Sequence, residues 1–424
     1  MGDSQRTRAR PRVVIVGAGF GGLEAAKALR REKVDVVVID KRNHHLFQPL
    51  LYQVATAALS ATDIAAPIRQ VLSRCENCTV LLGEVDRIDR AAKKVHIAGD
   101  EALAFDYLVL ASGATNRYFG HDEWEAHAPG LKSLEEALDV RRRVLLAFEN
   151  AERVSGEGAS DDVVMAYLTF VVVGGGATGV ELAGALTEIA RHTMTKDFRN
   201  FDPKRARVVL LEGGDRLLPA FVPELSEHVK HDLESLGVEV HLETLAECID
   251  SEGVVLKGGE RIAARTVLWA AGVAAERVGR SLGVPVDKAG RVKIERDLTI
   301  DDDHAIYVIG DAATMDQDGE PLPGVAQVAI QMGRHAAENI TLTIAGEARK
   351  EFRYHDKGSM ATIGRSRAIA QIGHVRFTGF IAWLVWLFVH VMALVGFRNR
   401  VAVLLEWAYA YLTYQRSARI ILQD

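Results

Sequence analysis

The chain has 424 residues, a formal net charge of −6, 48% hydrophobic and 25% charged residues, and a mean hydropathy of +0.04 with a pI near 6.2. That length holds two ordinary domains and a smaller appendage, the composition stops short of a polytopic membrane protein, and the acidic balance argues against a general nucleic-acid binder. Three cysteines, Cys75, Cys78 and Cys248, cannot build a disulfide framework and point to a reducing compartment.

The first eleven residues are polar and basic with no apolar centre, so they read as a disordered arm and neither a secretory signal nor a spanning helix. From Val13 the run VVIV predicts a strand. It leads through VGAGFGGLEAAKAL, starting at Val16, into an alanine- and leucine-rich helical pattern. A second apolar strand, VDVVVID, ends at Asp40. Alternation and turn residues from Thr79 to Ala98 predict a small antiparallel meander, and YLVLASGA, Tyr107 to Ala114, a further strand. The opening unit then recurs. FVVV at Phe170 precedes VGGGATGVELAGAL, starting at Val173, and Gly17, Gly19, Gly22, Glu24, Ala26, Ala28 and Leu29 reappear as Gly174, Gly176, Gly179, Glu181, Ala183, Ala185 and Leu186. RVVLLE, VEVHLE at Val238 and TVLWAAGV at Thr266 read as later strands of this second unit. AIYVIGDAA, Ala305 to Ala313, reads as a return to the first. The fold class is therefore α/β, with two Rossmann-like dinucleotide-binding domains, the second inserted in the first, followed by a C-terminal helical region that anchors to a membrane.

A glycine-rich turn between strand and helix lets backbone amides reach a pyrophosphate at the positive helix N-terminus. Asp40 lies 18 residues beyond Gly22 at a strand end, where a carboxylate accepts hydrogen bonds from a ribose diol. In the second copy the acid, Glu212, lies 33 residues beyond Gly179, well over the usual spacing of about 20. The surplus, HTMTKDFRNFDPKRA, reads as a longer helix plus a loop. Two such sites and a third strand ending in Gly310–Asp311 match a two-dinucleotide-fold flavoprotein, a class in which that aspartate binds the ribityl and phosphate region of FAD. Without that context Asp311 reads as a helix cap.

With these pieces in place the sequence resembles the type II NADH:quinone oxidoreductases, single-subunit, non-pumping respiratory dehydrogenases. The resemblance runs from about Arg12 to the C-terminus and rests on NHHLFQPLLYQVA at Asn43, the Gly310–Asp311 strand, AQVAIQMG at Ala326, KGSMATIGR at Lys357 and GFRNR at Gly396. It implies non-covalent FAD as cofactor, NADH as substrate, a membrane quinone (ubiquinone or menaquinone) as acceptor, and a homodimer. It also implies an FAD domain from 12–115 and 281–345, an NADH domain from 116–280, and a membrane-anchoring domain from 346–424. Lys41, Gln53, Val85, Ala111 and Val328 join the FAD site, and Gly272 joins the nucleotide sites. Gln327 and Gln331 would border the flavin ring and the quinone pocket. Their four-residue spacing puts both amides on one helical face, although in isolation they read as surface glutamines. Glu181 and Lys357 would sit near flavin and nicotinamide, for proton delivery or as an ion pair. Against that, Glu24 holds the place of Glu181 in the first copy, and an acid near a helix N-terminus is favourable on its own account.

The CENC at Cys75 raises a redox dithiol, but no cysteine follows Asp40 closely, and no further ligands suggest a metal. Gly379 to Phe397 forms a 19-residue apolar run with His390 as its single ionisable residue, near the ~20 residues of a spanning helix. Arg376, Arg398 and Arg400 flank it, and the next segment carries Trp407, Tyr409, Tyr411 and Tyr414. Paired amphipathic helices with Trp and Tyr at headgroup level describe a monotopic anchor, here over 379–424, on the cytoplasmic side of the cell inner membrane. A buried dimerisation helix is compatible with the same pattern. Two other functions fit less well: a sulfide:quinone oxidoreductase, which needs cysteines beside the flavin and no second nucleotide site, and a redox-sensing module that holds its electrons. Glu212 would repel a 2′-phosphate, so NADH is expected to support far faster turnover than NADPH, as parallel steady-state kinetics with the two nucleotides would read; equal rates would assign Arg216 to the ribose instead.

Overall fold

The computed structural model describes residues 10–100, 102–301, 303–413, 416 and 418–421. Most of the expected arm and Tyr414 lie outside the described residues. The chain divides into two compact units. The first contains the residues up to His45 together with Ala66–Thr115 and Val273–Asp356, and the second contains Leu46–Ala65, Asn116–Gly272 and Lys357–Asp424.

In the first unit, strand Arg12–Val16 pairs in parallel with Asp35–Asp40 on one side and Tyr107–Leu110 on the other. Cys78–Leu82 and Asp303–Val308 extend the sheet outward in parallel, and Thr299–Ile300 closes one edge antiparallel. The apolar runs are buried because both sheet faces are covered. Helix Phe20–Ala28 packs closely on helix Ala326–Ala345, where a methyl on Gly21 would lie 3.0 Å from the Ala329 carbonyl oxygen. Thr79 to Leu82 belong to the parallel sheet, so the antiparallel meander is shorter than expected. It comprises Val85–Asp89, Lys94–Ile97 and Leu103–Ala104. Strand Cys78–Leu82 alternates weakly because it is an edge strand, which is why its sequence imitates a meander.

The second unit repeats the plan. Strand Thr169–Val173 lies between Arg207–Leu211 and Thr266–Trp269, with Val238–His241 beyond, all parallel. The surplus before Glu212 is a π-turn, Ile189–Thr193, and a loop whose Phe198 stacks on Phe148 at 5.9 Å. After Lys357 a three-stranded antiparallel sheet, Ser359–Gly364, Arg367–Ile372 and Val375–Thr378, leads into helices Gly379–Ala393 and Phe397–Thr413.

These units are cut differently from the expected domains. Leu46–Ala65 clusters with the second unit because its helix, Leu51–Ala55, packs on helices Leu134–Gly156 and Ala177–Glu188. The return to the first unit begins at Val273, ahead of 281. The C-terminal segment clusters with the second unit because Ser359–Gly364 lies against helix Ala177–Glu188, so closely that a methyl on Gly184 would sit 2.8 Å from the Ile363 carbonyl carbon. The 19-residue apolar run is also interrupted. Its helix ends at Ala393, and Gly396 turns at φ 90° before the next begins. Fifteen residues span about 22 Å, short of the ~30 Å hydrocarbon core, and among the described residues no helix is long and apolar enough to cross a membrane.

Gly184 meets backbone, which cannot swing aside as a side chain would, so Gly184→Ala should destabilise the second unit by about 2 kcal/mol or more, read as a lowered melting temperature; an unchanged value would show that this contact relaxes freely.

Candidate functional site

Both glycine turns sit where the order of strands reverses, outside the carboxyl ends of a parallel sheet, the position at which open α/β folds bind ligands. Gly17 adopts φ 97° and Gly174 φ 112°, a region that favours glycine. A methyl on Gly17 would lie 2.8 Å from the Ala111 carbonyl carbon, and one on Gly174 2.6 Å from that of Ala270. Gly22 and Gly179 likewise back onto Gly17 and Gly174, letting each helix start directly behind its turn. Gly19 and Gly176 face open space, with nothing within 4 Å of where a Cβ would stand. That opening is what a pyrophosphate needs.

The acids complete each turn in the same way. Asp40 Oδ2 accepts the Ala18 N–H at 2.6 Å and its Oδ1 the Arg42 N–H at 2.7 Å. Glu212 Oε2 accepts the Gly175 N–H at 2.6 Å and its Oε1 the Gly214 N–H at 2.6 Å. In each copy the carboxylate holds the residue between the first two glycines, and each oxygen keeps a lone pair for a ribose hydroxyl. The 33-residue spacing of Glu212 therefore changes nothing in its geometry.

The first unit adds a brace that the sequence reading did not single out. His45 is buried beside the turn, its Nδ1 donating to the Ala18 carbonyl at 3.1 Å and its ring edge-on to Phe20 at 5.2 Å. Burial pushes its pKa down to about 4, so the ring is neutral at pH 7. The repeated histidines of NHHLF were the available signal. Ala111 lies at the end of the strand beside the turn, its N–H on the Val16 carbonyl, and Val85 and Val328 are buried. Asp311 is half-buried just past its strand end. Lys41 is engaged in an ion pair with Glu276 at 2.8 Å.

The two glutamines differ. Gln331 is bound at both ends of its amide, Nε2 donating to the His355 carbonyl at 2.9 Å and Oε1 accepting the His355 N–H at 3.0 Å. Gln327, one turn earlier and half-buried, makes no side-chain hydrogen bond among the described residues. In the second unit Gln53 is buried, accepting from Trp407 Nε1 at 2.7 Å and donating to the Tyr52 hydroxyl at 2.9 Å. Glu181 is half-buried on helix Ala177–Glu188, and desolvation, opposed by one hydrogen bond from the Thr362 backbone, pushes its pKa up to about 8. Lys357 is exposed, and no ion pair joins it to Glu181 among the described residues. Gly272 follows strand Thr266–Trp269 with φ 100° and accepts the Arg117 N–H. Near the C-terminus, Arg416 is buried and donates to the Thr56 carbonyl at 2.6 Å and to Glu188 at 3.1 Å, contacts with no signal in the sequence. Cys75 is buried in the core, and burial together with Cys75 pushes the half-buried Cys78 thiol up to about 12, far from a reactive thiolate.

This pair of closed dinucleotide turns is the architecture of a flavin- and pyridine-nucleotide-dependent oxidoreductase. A sequence profile of the pyridine nucleotide-disulphide oxidoreductases matches residues 11–333, and one of the NDH2 C-terminal domain matches residues 356–416. The type II NADH:quinone oxidoreductase Ndh of Mycobacterium tuberculosis is 43% identical over 434 residues, covering 98% of this chain and 92% of the relative. The chain belongs to the type II NADH:quinone oxidoreductase family. The fold agrees: NDH2 from Plasmodium falciparum, solved in complex with NADH, superposes with a TM-score of 0.88 at 19% identity, covering 98% of this chain and all of that one. The sulfide:quinone oxidoreductase of Aquifex aeolicus superposes with a TM-score of 0.74 at 18% identity, covering 92% of each chain.

Glu181 also sets a stability test. Its folded pKa of about 8 stands above its ordinary value of 4.5, so the unfolded chain loses this proton first and stability falls as pH rises from about 4.5 to about 8. Glu181→Gln removes that loss. Its melting temperature relative to the wild type should climb through this window, and a constant difference would mean that Glu181 ionises normally.

Proposed function

We propose that this chain oxidises NADH and passes two electrons to a membrane quinone without pumping protons, with non-covalent FAD as the intermediate carrier. The observation that carries this reading is the second glycine turn, its Gly175 N–H held by Glu212, which supports a second nucleotide site that a sulfide-oxidising enzyme does not need.

The first unit is the FAD site. Gly17, Gly19 and Gly22 bring backbone amides and a helix N-terminus to the pyrophosphate, Asp40 takes the ribose hydroxyls, and Asp311 binds the ribityl and phosphate region. Ala111, Val85 and Val328 give the cofactor apolar walls, and Lys41 adds positive charge at its adenosine end. The flavin, when bound, supplies the chemistry of accepting a hydride and releasing two electrons. In the second unit Gly174, Gly176, Gly179 and Glu212 hold NADH in the same manner, and Gly272 lies on the nicotinamide side of the turn. Gln53, fixed by Trp407 and Tyr52, orients the acceptor side. Glu181 keeps its proton at neutral pH and can give it to a reduced quinone oxygen, with exposed Lys357 restoring it from solvent. Gln327, whose amide has no side-chain hydrogen bond among the described residues, can hydrogen-bond a quinone carbonyl, whereas Gln331 fixes the backbone at His355.

The C-terminal helices favour peripheral attachment. Phe380, Ile381, Leu384, Phe388, Leu405 and Leu412 are exposed, an apolar load that suits insertion into one leaflet. We take the enzyme to be a homodimer on the cytoplasmic face of the inner membrane.

Purified protein should oxidise NADH with formation of one quinol per NADH from a short-chain quinone, and sulfide should not replace NADH as donor; sulfide-driven quinone reduction would overturn this reading. Gln327→Leu should raise the quinone KM several-fold and leave the NADH KM unchanged, while Gln331→Leu should first lower the melting temperature. The reverse pattern would exchange their roles.

A further inference from the structure

Phe119 occupies a backbone conformation that its side chain does not favour. The Tyr118 carbonyl accepts the His121 N–H at 3.1 Å, and the two residues between them have φ 55° at Phe119 and φ 101° at Gly120. A turn with two positive φ angles is of the type I′ kind, for which Asn-Gly or Asp-Gly is the favoured pair. A bulky aromatic at φ 55° is an outlier. It is also 57% exposed, although its neighbours Tyr118 and Trp124 are buried. The ring does approach the core, its centroid 6.3 Å from that of the buried Trp269, yet most of it stays exposed and the turn geometry disfavours it.

The surroundings hold the ring in place. Trp269 Nε1 donates to the Arg117 carbonyl at 3.1 Å, the Arg117 N–H donates to the Gly272 carbonyl at 3.3 Å, and the Tyr118 hydroxyl donates to the Ala128 carbonyl at 2.9 Å. The loop before the turn is thus fixed to the end of strand Thr266–Trp269. The ring stands on Gly272, where a methyl would lie 2.7 Å from Phe119 Cζ, and the Arg117 guanidinium lies 4.9 Å from its centroid. Gly272 leaves room for it.

Strand order tells which part of a dinucleotide would meet that ring. Glu212 marks the adenosine ribose on one side of strand Thr169–Val173, and Thr266–Trp269 lies on the other. A dinucleotide lying across the turn at Gly174 therefore brings its nicotinamide to the side where Ala270 to Gly272 emerge. We propose that Phe119 is a substrate-positioning residue whose ring packs against the nicotinamide of NADH, the backbone strain at this turn being retained for that contact. This rests on the second unit being the NADH site.

Phe119→Asn tests it, because Asn-Gly suits the turn while removing the ring. The variant should melt no lower than the wild type, and its kcat/KM for NADH should fall by about two- to ten-fold, the worth of an aromatic pair. Reoxidation of the dithionite-reduced variant by a short-chain ubiquinone should keep its rate, and Phe119→Tyr should restore NADH kinetics. Wild-type NADH kinetics in Phe119→Asn would overturn the inference, as would a parallel fall in melting temperature and in both half-reactions. Failure of NADH to reduce the wild-type protein would instead overturn the assignment of the nucleotide site itself.

Discussion

Gly17 and Gly174 press so closely on the ends of neighbouring strands that a methyl on either would lie within 2.8 Å of a carbonyl carbon. That approach lets a strand stop, turn and become a helix in the space of a few residues, with its amides still pointing outward. The acid at the end of the next strand then fixes the turn by accepting the N–H of the residue between the first two glycines, at 2.6 Å in both units. Two open turns follow from this one constraint, used twice, with nothing within 4 Å of where a Cβ would stand at Gly19 and Gly176.

The turns were legible in the sequence because glycine at these positions is demanded by backbone contact, leaving little freedom for substitution. Asp40 and Glu212 were legible because they end apolar strands, and the geometry of Glu212 was insensitive to the loop inserted before it. Other features depended on tertiary contacts that no local pattern encodes. Leu46–Ala65 reads as a continuation of the first unit yet packs on helices of the second. Gln327 and Gln331 look equivalent on a helical wheel, and only the structure shows that the Gln331 amide is spent on His355. The apolar run from Gly379 has nearly the length of a spanning helix, and the turn at Gly396 divides it. Phe119 was not singled out in the sequence, because its contact with Gly272 joins residues far apart along the chain.

Burial pushes several ionisable groups toward their neutral forms. Glu181 is withdrawn from water with one backbone donor and so retains its proton near neutrality. His45 and His390 are pushed down to about 4 and remain neutral, one bracing the Ala18 carbonyl and the other stacked on Trp386 at 4.2 Å. Burial pulls the Arg416 pKa down, and Glu188, which opposes this, and two backbone carbonyls receive its guanidinium. Of the cysteines, Cys75 lies in the core, Cys78 is half-buried with its thiol pushed up to about 12, and Cys248 is exposed.

Anaerobic stopped-flow spectroscopy on the flavin-loaded protein addresses the central claim most directly, with NADH mixed first and a short-chain ubiquinone second. The account predicts rapid loss of flavin absorbance on the first mixing and recovery on the second, both at least as fast as steady-state turnover. Rapid loss with no recovery on the second mixing would contradict it, leaving a protein that takes electrons from NADH and keeps them.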